Sequence, residues 1–195
     1  MNKLGQNKVV GVLLAAGQGQ RFGGDKCLAP LADGTPMALR AALNLQPAVD
    51  ELLCVVRPED RVLKKLFQEH GFATVDCKNA LDGMSASLMA GVQASKNAQA
   101  WLIALADMPL IKATTYQTLV AELREQSGIV RPSYLGQAGH PVLFSQAYYE
   151  DLLSLSGDSG AKPVLRKHSQ TVRVVAVDDN GILQDFDTPE SLSGI

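Results

Sequence analysis

A chain of 195 residues, 46% apolar and 19% charged, is long enough for one domain with a substantial core and is ordinary in composition for a globular protein. Its net charge of −2, from 18 Lys+Arg against 20 Asp+Glu, argues against nucleic acid or an anionic membrane surface as the main partner. An anionic ligand would have to be held by local charge. Residues 1–8 are polar, without the apolar core of a signal peptide, and no apolar run is long enough to span a bilayer, so a cytoplasmic location is expected. Cys27, Cys54 and Cys77 form no C-x-x-C pair and no metal-ligand spacing with His70, His140 or His168, which reads as free thiols in a reducing compartment.

The chain alternates strand and helix signals. Residues 9–16, Val-Val-Gly-Val-Leu-Leu-Ala-Ala, are continuously apolar, as in a strand buried on both faces. They run straight into Gly-Gln-Gly-Gln-Arg-Phe-Gly-Gly-Asp-Lys at 17–26, where four glycines and two cations, Arg21 and Lys26, share one loop. Glycines let backbone N–H groups approach an anion, so a polyphosphate cradle is one reading and a glycine-rich surface loop the other. Two phosphate loops fail here by one residue. In G-x-G-x-x-G the sixth position is Phe22, with Gly23 one place late; in G-x-x-x-x-G-K-[ST], Asp25 stands where the lysine belongs.

Thr35-Pro36 reads as a helix start, with Leu39, Ala42 and Leu43 on the apolar face. Residues 52–56 form a second buried strand, Pro58 opens a helix that Gly71 closes, and 72–75 form a short third strand. Residues 85–95 suit a helix despite Gly91, and 101–106 a central strand. Tyr116, Leu119, Val120 and Leu123 fall at i, i+3, i+4 and i+7, which predicts a helix over 114–126. Strands are expected at 128–131, 141–144 and 172–177, and helices at 146–153, 161–167 and from Thr188-Pro189 onward. Alternation of this kind indicates an α/β fold with a largely parallel sheet in one domain spanning 1–195, with ligands beyond the carboxyl ends of the strands.

The glycine loop lies at one such end and Asp107-Met108-Pro109 at another. A carboxylate leaving a buried strand suits Mg²⁺, which prefers oxygen ligands and keeps substrate phosphates and waters; the alternative is a helix cap or turn. Asp187, in Asp-Phe-Asp-Thr-Pro-Glu at 185–190, is a second acidic candidate or a helix-start residue, with Asp185 behind it. His140 precedes a proline and is held extended at a strand entrance, where a lone histidine is more often structural than catalytic. Gly157-Asp158-Ser159-Gly160 is a loop entering a helix: an anion site or a cap.

Longer motifs narrow this picture. Leu14-Ala15-Ala16-Gly17-x-Gly19-x-Arg21-Phe22-Gly23-x-x-Lys26 resembles the L-A-[AG]-G-x-[GS]-x-R-[MF]-G-x-x-K signature of nucleotidyltransferases that join a nucleoside triphosphate to a phosphorylated acceptor. Together with Gly139-His140-Pro141-Val142-Leu143-Phe144, Gly157-Asp158-x-Gly160-Ala161-Lys162 and the stretch from Asp178 to Glu190, it is similar to the molybdenum cofactor cytidylyltransferases, from Val10 to Leu192. It departs from them at Gly19-Gln20 and Lys162, without losing a charge.

The resemblance implies a Rossmann-like three-layer domain with a mixed, mostly parallel sheet, nucleotide on the N-terminal half and acceptor on the C-terminal half. It implies CMP transfer from CTP to molybdopterin cofactor with release of pyrophosphate, with Mg²⁺ on Asp107 and Asp187. Lys26 would act at the α-phosphate and Arg21 at the departing pyrophosphate, and Leu14, Ala15, Ala16, Gly17, Gly19 and Gly23 would cradle the nucleotide. Asp82 and Ser87 fall in the segment matching the base contacts; the other reading of Ser85 or Ser87 is a helix cap. Gly139, His140, Pro141 and Asp158 fall on the acceptor side. A molybdoenzyme or its chaperone is a further partner. Competing readings are guanylyl transfer to molybdopterin, cytidylyl or uridylyl transfer to a sugar or polyol phosphate, cofactor binding without turnover, and an oxidoreductase, which the broken dinucleotide fingerprint disfavours.

Overall fold

Apolar continuity decides which strand lies at the centre. In the computed structural model, which describes residues 8–17, 22 and 25–192, strand β1 (Val9–Leu14) is buried at every position. It runs parallel to β2 (Glu51–Val56) on one side and β4 (Ala100–Leu105) on the other, and β3 (Ala73–Asp76) extends the parallel half beyond β2. Past β4 the sheet becomes mixed. β7 (Val142–Ser145) is antiparallel to β4 and to β5 (Ile129–Tyr134), while β8 (Val172–Ala176) pairs parallel to β5 and the short β6 (Gln137–Ala138) antiparallel to it. Among the described residues the eight strands form one sheet with the order 3-2-1-4-7-5-6 along its main path, and β8 lies off it beside β5.

Successive residues of a strand face opposite ways, so each face of the sheet has its own core. On one, Leu13 and Leu102 pack with Leu45 of α1 (Met37–Leu45), Phe67 of α2 (Arg61–Glu69) and Tyr116 and Leu119 of α4 (Ala113–Glu125). On the other, Val12, Trp101 and Phe144 pack with Leu88 and Val92 of α3 (Met84–Ala94), Leu152 of α5 (Tyr149–Leu153) and Val164 of α6 (Lys162–Lys167). The result is a single three-layer α/β domain with a mixed, mostly parallel sheet. No described helix is long and apolar enough to cross a membrane.

The glycine within α3 has a packing reason. A Cβ on Gly91 would lie 2.3 Å from Cγ1 of Val12 and 3.1 Å from Cγ2 of Val55, so its absence lets the helix press onto β1 and β2. Gly91→Ala is expected to destabilise by about 1–3 kcal/mol through overpacking, against the ~1 kcal/mol that alanine gains in helix propensity. Denaturant unfolding measures the balance, and a midpoint at or above wild type contradicts the close approach.

Element boundaries differ from the sequence reading at the caps. Pro36, not Thr35, is the N-cap of α1, and α2 begins at Arg61, beyond Pro58. The 146–153 helix divides into a 3-10 turn, Gln146–Tyr148, and α5, and Thr188 leads into a 3-10 turn, Pro189–Leu192, rather than an α-helix. Neither Ser85 nor Ser87 caps α3. Its N-cap is Gly83, and the Met84 N–H donates to Oδ1 of Asp158 at 3.0 Å.

Candidate functional site

The strand ends beyond β1 and β4 open into a cleft of about 830 Å³. Volumes from roughly 300 to 1,000 Å³ are usual for small-molecule sites. The two strands stay stitched as they enter it: Ala15 N–H donates to Val55 C=O at 2.9 Å and Ala106 N–H to Leu14 C=O at 3.1 Å. The Ala15 carbonyl accepts the Cys27 thiol at 3.7 Å. The backbone groups of Ala16 and Gly17 take no hydrogen bond among the described residues and line the cleft. Burial, then the charges of Asp107 and Asp25, push the Cys27 thiol up to about 12, which disfavours its thiolate.

Lys26 lies in a 3-10 turn, Lys26–Leu28, at the cleft wall. Its ammonium donates to Oδ2 of Asp107 at 2.8 Å and to Oδ1 of Asp187 at 2.5 Å. Burial alone would push the lysine toward neutrality, but the two carboxylates outweigh it and raise its pKa. Asp107 follows β4 directly. Its backbone C=O accepts the Phe186 N–H at 3.1 Å, and Phe186 is buried against Leu31 and Met37, which sets the chain end carrying Asp185 and Asp187 along the cleft.

Oδ1 of Asp107 is buried with no partner among the described residues. An orphaned buried acceptor costs about 1–3 kcal/mol, more when charged, so a cation or donor belongs beside it. Among the described residues no three His, Cys, Asp or Glu side chains gather as a metal cage. The two carboxylates converging on one cationic position instead fit Mg²⁺, which is held by one or two carboxylates together with substrate phosphates and waters.

The opposite wall carries Asp82, Gly83, Met84 and Ser87. Gly83 has φ +102°, and a Cβ there would sit 2.7 Å from the Gly157 carbonyl carbon and oxygen, so the 157–158 loop lies directly on it. Ser87 is buried, with its Oγ 3.8 Å from Cys77 Sγ, and Ser85 Oγ donates to the Ser156 C=O at 3.2 Å. Asp158 therefore sits on this wall as the cap of α3, apart from the segment with which the sequence reading grouped it. Leu81, 79% exposed, adds an apolar surface at the same wall that sequence reasoning did not single out.

Gly139, His140 and Pro141 are not in the cleft lining. They form the entrance to β7, beside the end of β4. The His140–Pro141 peptide is cis, where an ordinary extended entrance was expected. The His140 N–H donates to the Ile182 C=O at 2.9 Å, and a Cβ on Gly139 would lie 2.2 Å from that oxygen. Burial, then the charges of Arg131 and Lys162, lower the His140 pKa against the opposing pull of Asp107 and Asp185, so the imidazole is neutral at pH 7. Gly19, Arg21 and Gly23 lie outside the described residues.

Parallel strands opening into a cleft lined by Ala16 and Gly17, with a lysine and two carboxylates at the mouth, define a nucleotidyltransferase-type α/β domain. The chain belongs to the MobA-like NTP transferase domain family, which its residues 11–172 match, and it is an enzyme of that type. Purine catabolism protein PucB of Bacillus subtilis is 31% identical over 193 residues, covering 93% of each chain. The nicotine blue oxidoreductase of Paenarthrobacter nicotinovorans is 29% identical over 94% of each. A molybdenum cofactor guanylyltransferase of Burkholderia ambifaria is 35% identical over 68% of this chain and 64% of its own. Among solved structures, Rv0371c of Mycobacterium tuberculosis superposes with a TM-score of 0.83 at 26% identity over 95% of both chains. A second structure of that protein, in complex with manganese, gives 0.71 at 22% identity over 88% of both.

Proposed function

We propose that the enzyme transfers a cytidylyl group from CTP to the phosphate of molybdopterin cofactor. An acceptor phosphate oxygen attacks the α-phosphorus. The P–O bond to the bridging α,β oxygen breaks, and pyrophosphate leaves with that electron pair. No general base is needed, because a phosphate monoester is already ionised, and the protein's task is to position two anions and stabilise their charge. The observation that carries this reading is the Lys26 ammonium between Asp107 and Asp187 at the mouth of the cleft.

Lys26 serves the α-phosphate, Arg21 the departing pyrophosphate, and Asp107 with Asp187 hold Mg²⁺. The metal, when bound, supplies charge neutralisation for the two phosphates. The mycobacterial relative has been solved in complex with manganese, which agrees with use of a divalent ion. The backbone groups at Ala16 and Gly17 read the base from one side, with Asp82, Ser87 and the apolar Leu81 on the other. Gly139, His140 and Pro141 lie on the acceptor side, and the product passes to a molybdoenzyme or its chaperone. Asp158 serves that side only indirectly, through the wall it braces.

Ala16 favours cytosine, since its methyl narrows the space that a glycine would leave for a purine. Guanylyl transfer is the second reading, favoured by the names of several relatives. A site that hydrogen-bonds one base rejects another because its buried polar groups are left unpaired. In competition between equal CTP and GTP on molybdopterin cofactor, the cytosine dinucleotide is expected as the main product, by about tenfold or more. A guanine dinucleotide overturns the base assignment and leaves the phosphate chemistry in place. The oxidoreductase name belongs to the Paenarthrobacter protein; here the dinucleotide fingerprint breaks at Phe22. The experiment for the reading as a whole is pyrophosphate release with each of the four triphosphates, with and without molybdopterin cofactor. No release under any condition overturns it.

A further inference from the structure

The described arginines divide by partner. Arg40, Arg57 and Arg124 each hold a carboxylate, Arg173 binds the backbone carbonyls of Glu122 and Gln126, and Arg61 and Arg166 are solvent-exposed. Arg131 shares with Arg173 a donation to a backbone carbonyl and a buried Nε without a partner, but it binds at the β7 entrance rather than at the end of α4. It is half-buried on β5, its Nη2 donates to the Gly139 C=O at 3.2 Å, and its Nε is buried without a partner. No carboxylate among the described residues pairs with it, and burial is the cause that lowers its pKa. A guanidinium taken out of water with neither counter-ion nor full hydrogen bonding is costly, and the usual remedy is an anionic ligand.

What surrounds Arg131 says where that anion sits. The Gly139 carbonyl that it grips precedes His140, whose Nδ1 is likewise buried without a partner. Two underused nitrogen-bearing side chains thus lie at the β7 entrance, close enough for the Arg131 charge to act on His140. β7 pairs with β4 through Ile103 and Val142, so that entrance lies toward the end of β4 from which Asp107 emerges. The charges acting on His140 include Asp107 and Asp185 from the cleft and Lys162 at the start of α6. The Arg131–His140 pair therefore flanks the carboxylates on the side away from β2 and β3.

We propose that Arg131, with His140 beside it, anchors the phosphate monoester of the acceptor. This deepens the transfer reading and rests on it. A planar guanidinium can grip two non-attacking oxygens of a phosphate and leave the third to face the α-phosphorus. Lys162, exposed at the start of α6, adds a second positive charge against the repulsion of Asp107 and Asp185. The same donors could instead meet the terminal phosphate of the triphosphate; the two sources share one chemistry and separate in kinetics.

The test has two arms. In the first, Arg131→Gln is expected to raise the apparent KM for molybdopterin cofactor by about tenfold or more and to change that for CTP by less than about twofold, with Arg131→Lys recovering part of the loss. An equal or larger effect on CTP overturns the assignment to the acceptor. In the second arm, inorganic phosphate is titrated into metal-free protein while the His140 imidazole resonances are followed by NMR; the chain has only 3 histidines to assign. A saturable shift, weakened about tenfold in Arg131→Gln, supports the site, and no shift in wild type overturns it. Thermal unfolding of both variants guards against a folding artefact. If no acceptor yields pyrophosphate, the transfer reading fails, while the phosphate titration still decides whether Arg131 binds an anion.

Discussion

Asp107→Asn is expected to lower turnover at least about a hundredfold, the scale of ~3 kcal/mol of lost charge stabilisation in a preorganised site. The substitution keeps shape and removes charge. One carboxylate oxygen is buried without a partner among the described residues, so the anion is held there at a cost that a cation or donor relieves. The fold survives, because the link to the C-terminal segment runs through the Asp107 backbone carbonyl, which accepts from Phe186, and not through the side chain. Pyrophosphate release and a thermal melt on one sample separate the two effects. Wild-type turnover in Asp107→Asn reduces the residue to a turn former. Asp187→Asn is expected to be milder, since its side chain is 47% exposed and better solvated.

Lys26→Ala is expected to reduce turnover by about a hundredfold with little change in acceptor affinity, because its charge-assisted contact belongs mainly to the transition state. A second consequence concerns the protein alone. The ammonium bridges both carboxylates, at 2.8 and 2.5 Å. Removing it takes the shared cation away from the acid pair, so the variant is expected to bind Mn²⁺ in the absence of nucleotide more tightly than wild type. Titration followed by electron paramagnetic resonance checks this. Weaker binding in Lys26→Ala would mean that the lysine organises the acid pair rather than competing for it.

The parallel half of the fold was legible because the runs at 9–14 and 100–105 are apolar throughout and too short for a helix, and the first is rich in β-branched residues and leads into glycines. The mixed half was less so: nothing local to residues 142–145 tells an antiparallel strand from a parallel one. Caps failed where the partner is distant. Asp158 serves a helix that begins at Met84, and no window around Ser85 contains it. Gly91 read as a flaw in a helix because the Val12 side chain that requires it lies on another element. At the site, the resemblance grouped Asp107 and Asp187 around one metal, but the residues alone did not show Lys26 bridging them. Their meeting spans separations of 81 and 161 residues, which spacing along a chain does not reveal. Arg131 left no signal at all, since an arginine in a strand becomes unusual only once its neighbours fail to supply an anion.

The way the C-terminal segment returns to the cleft has a consequence for the timing of assembly. Among the described residues the last strand of the sheet ends at Ala176, ahead of Asp187 in the chain. The sheet can therefore form without the segment that carries Asp187. That segment is held by Phe186, which packs with Leu31 and Met37, and by its N–H to the Asp107 carbonyl. Until it docks, the contact between Lys26 and Asp187 does not exist, so docking of this segment is a step separate from building the sheet.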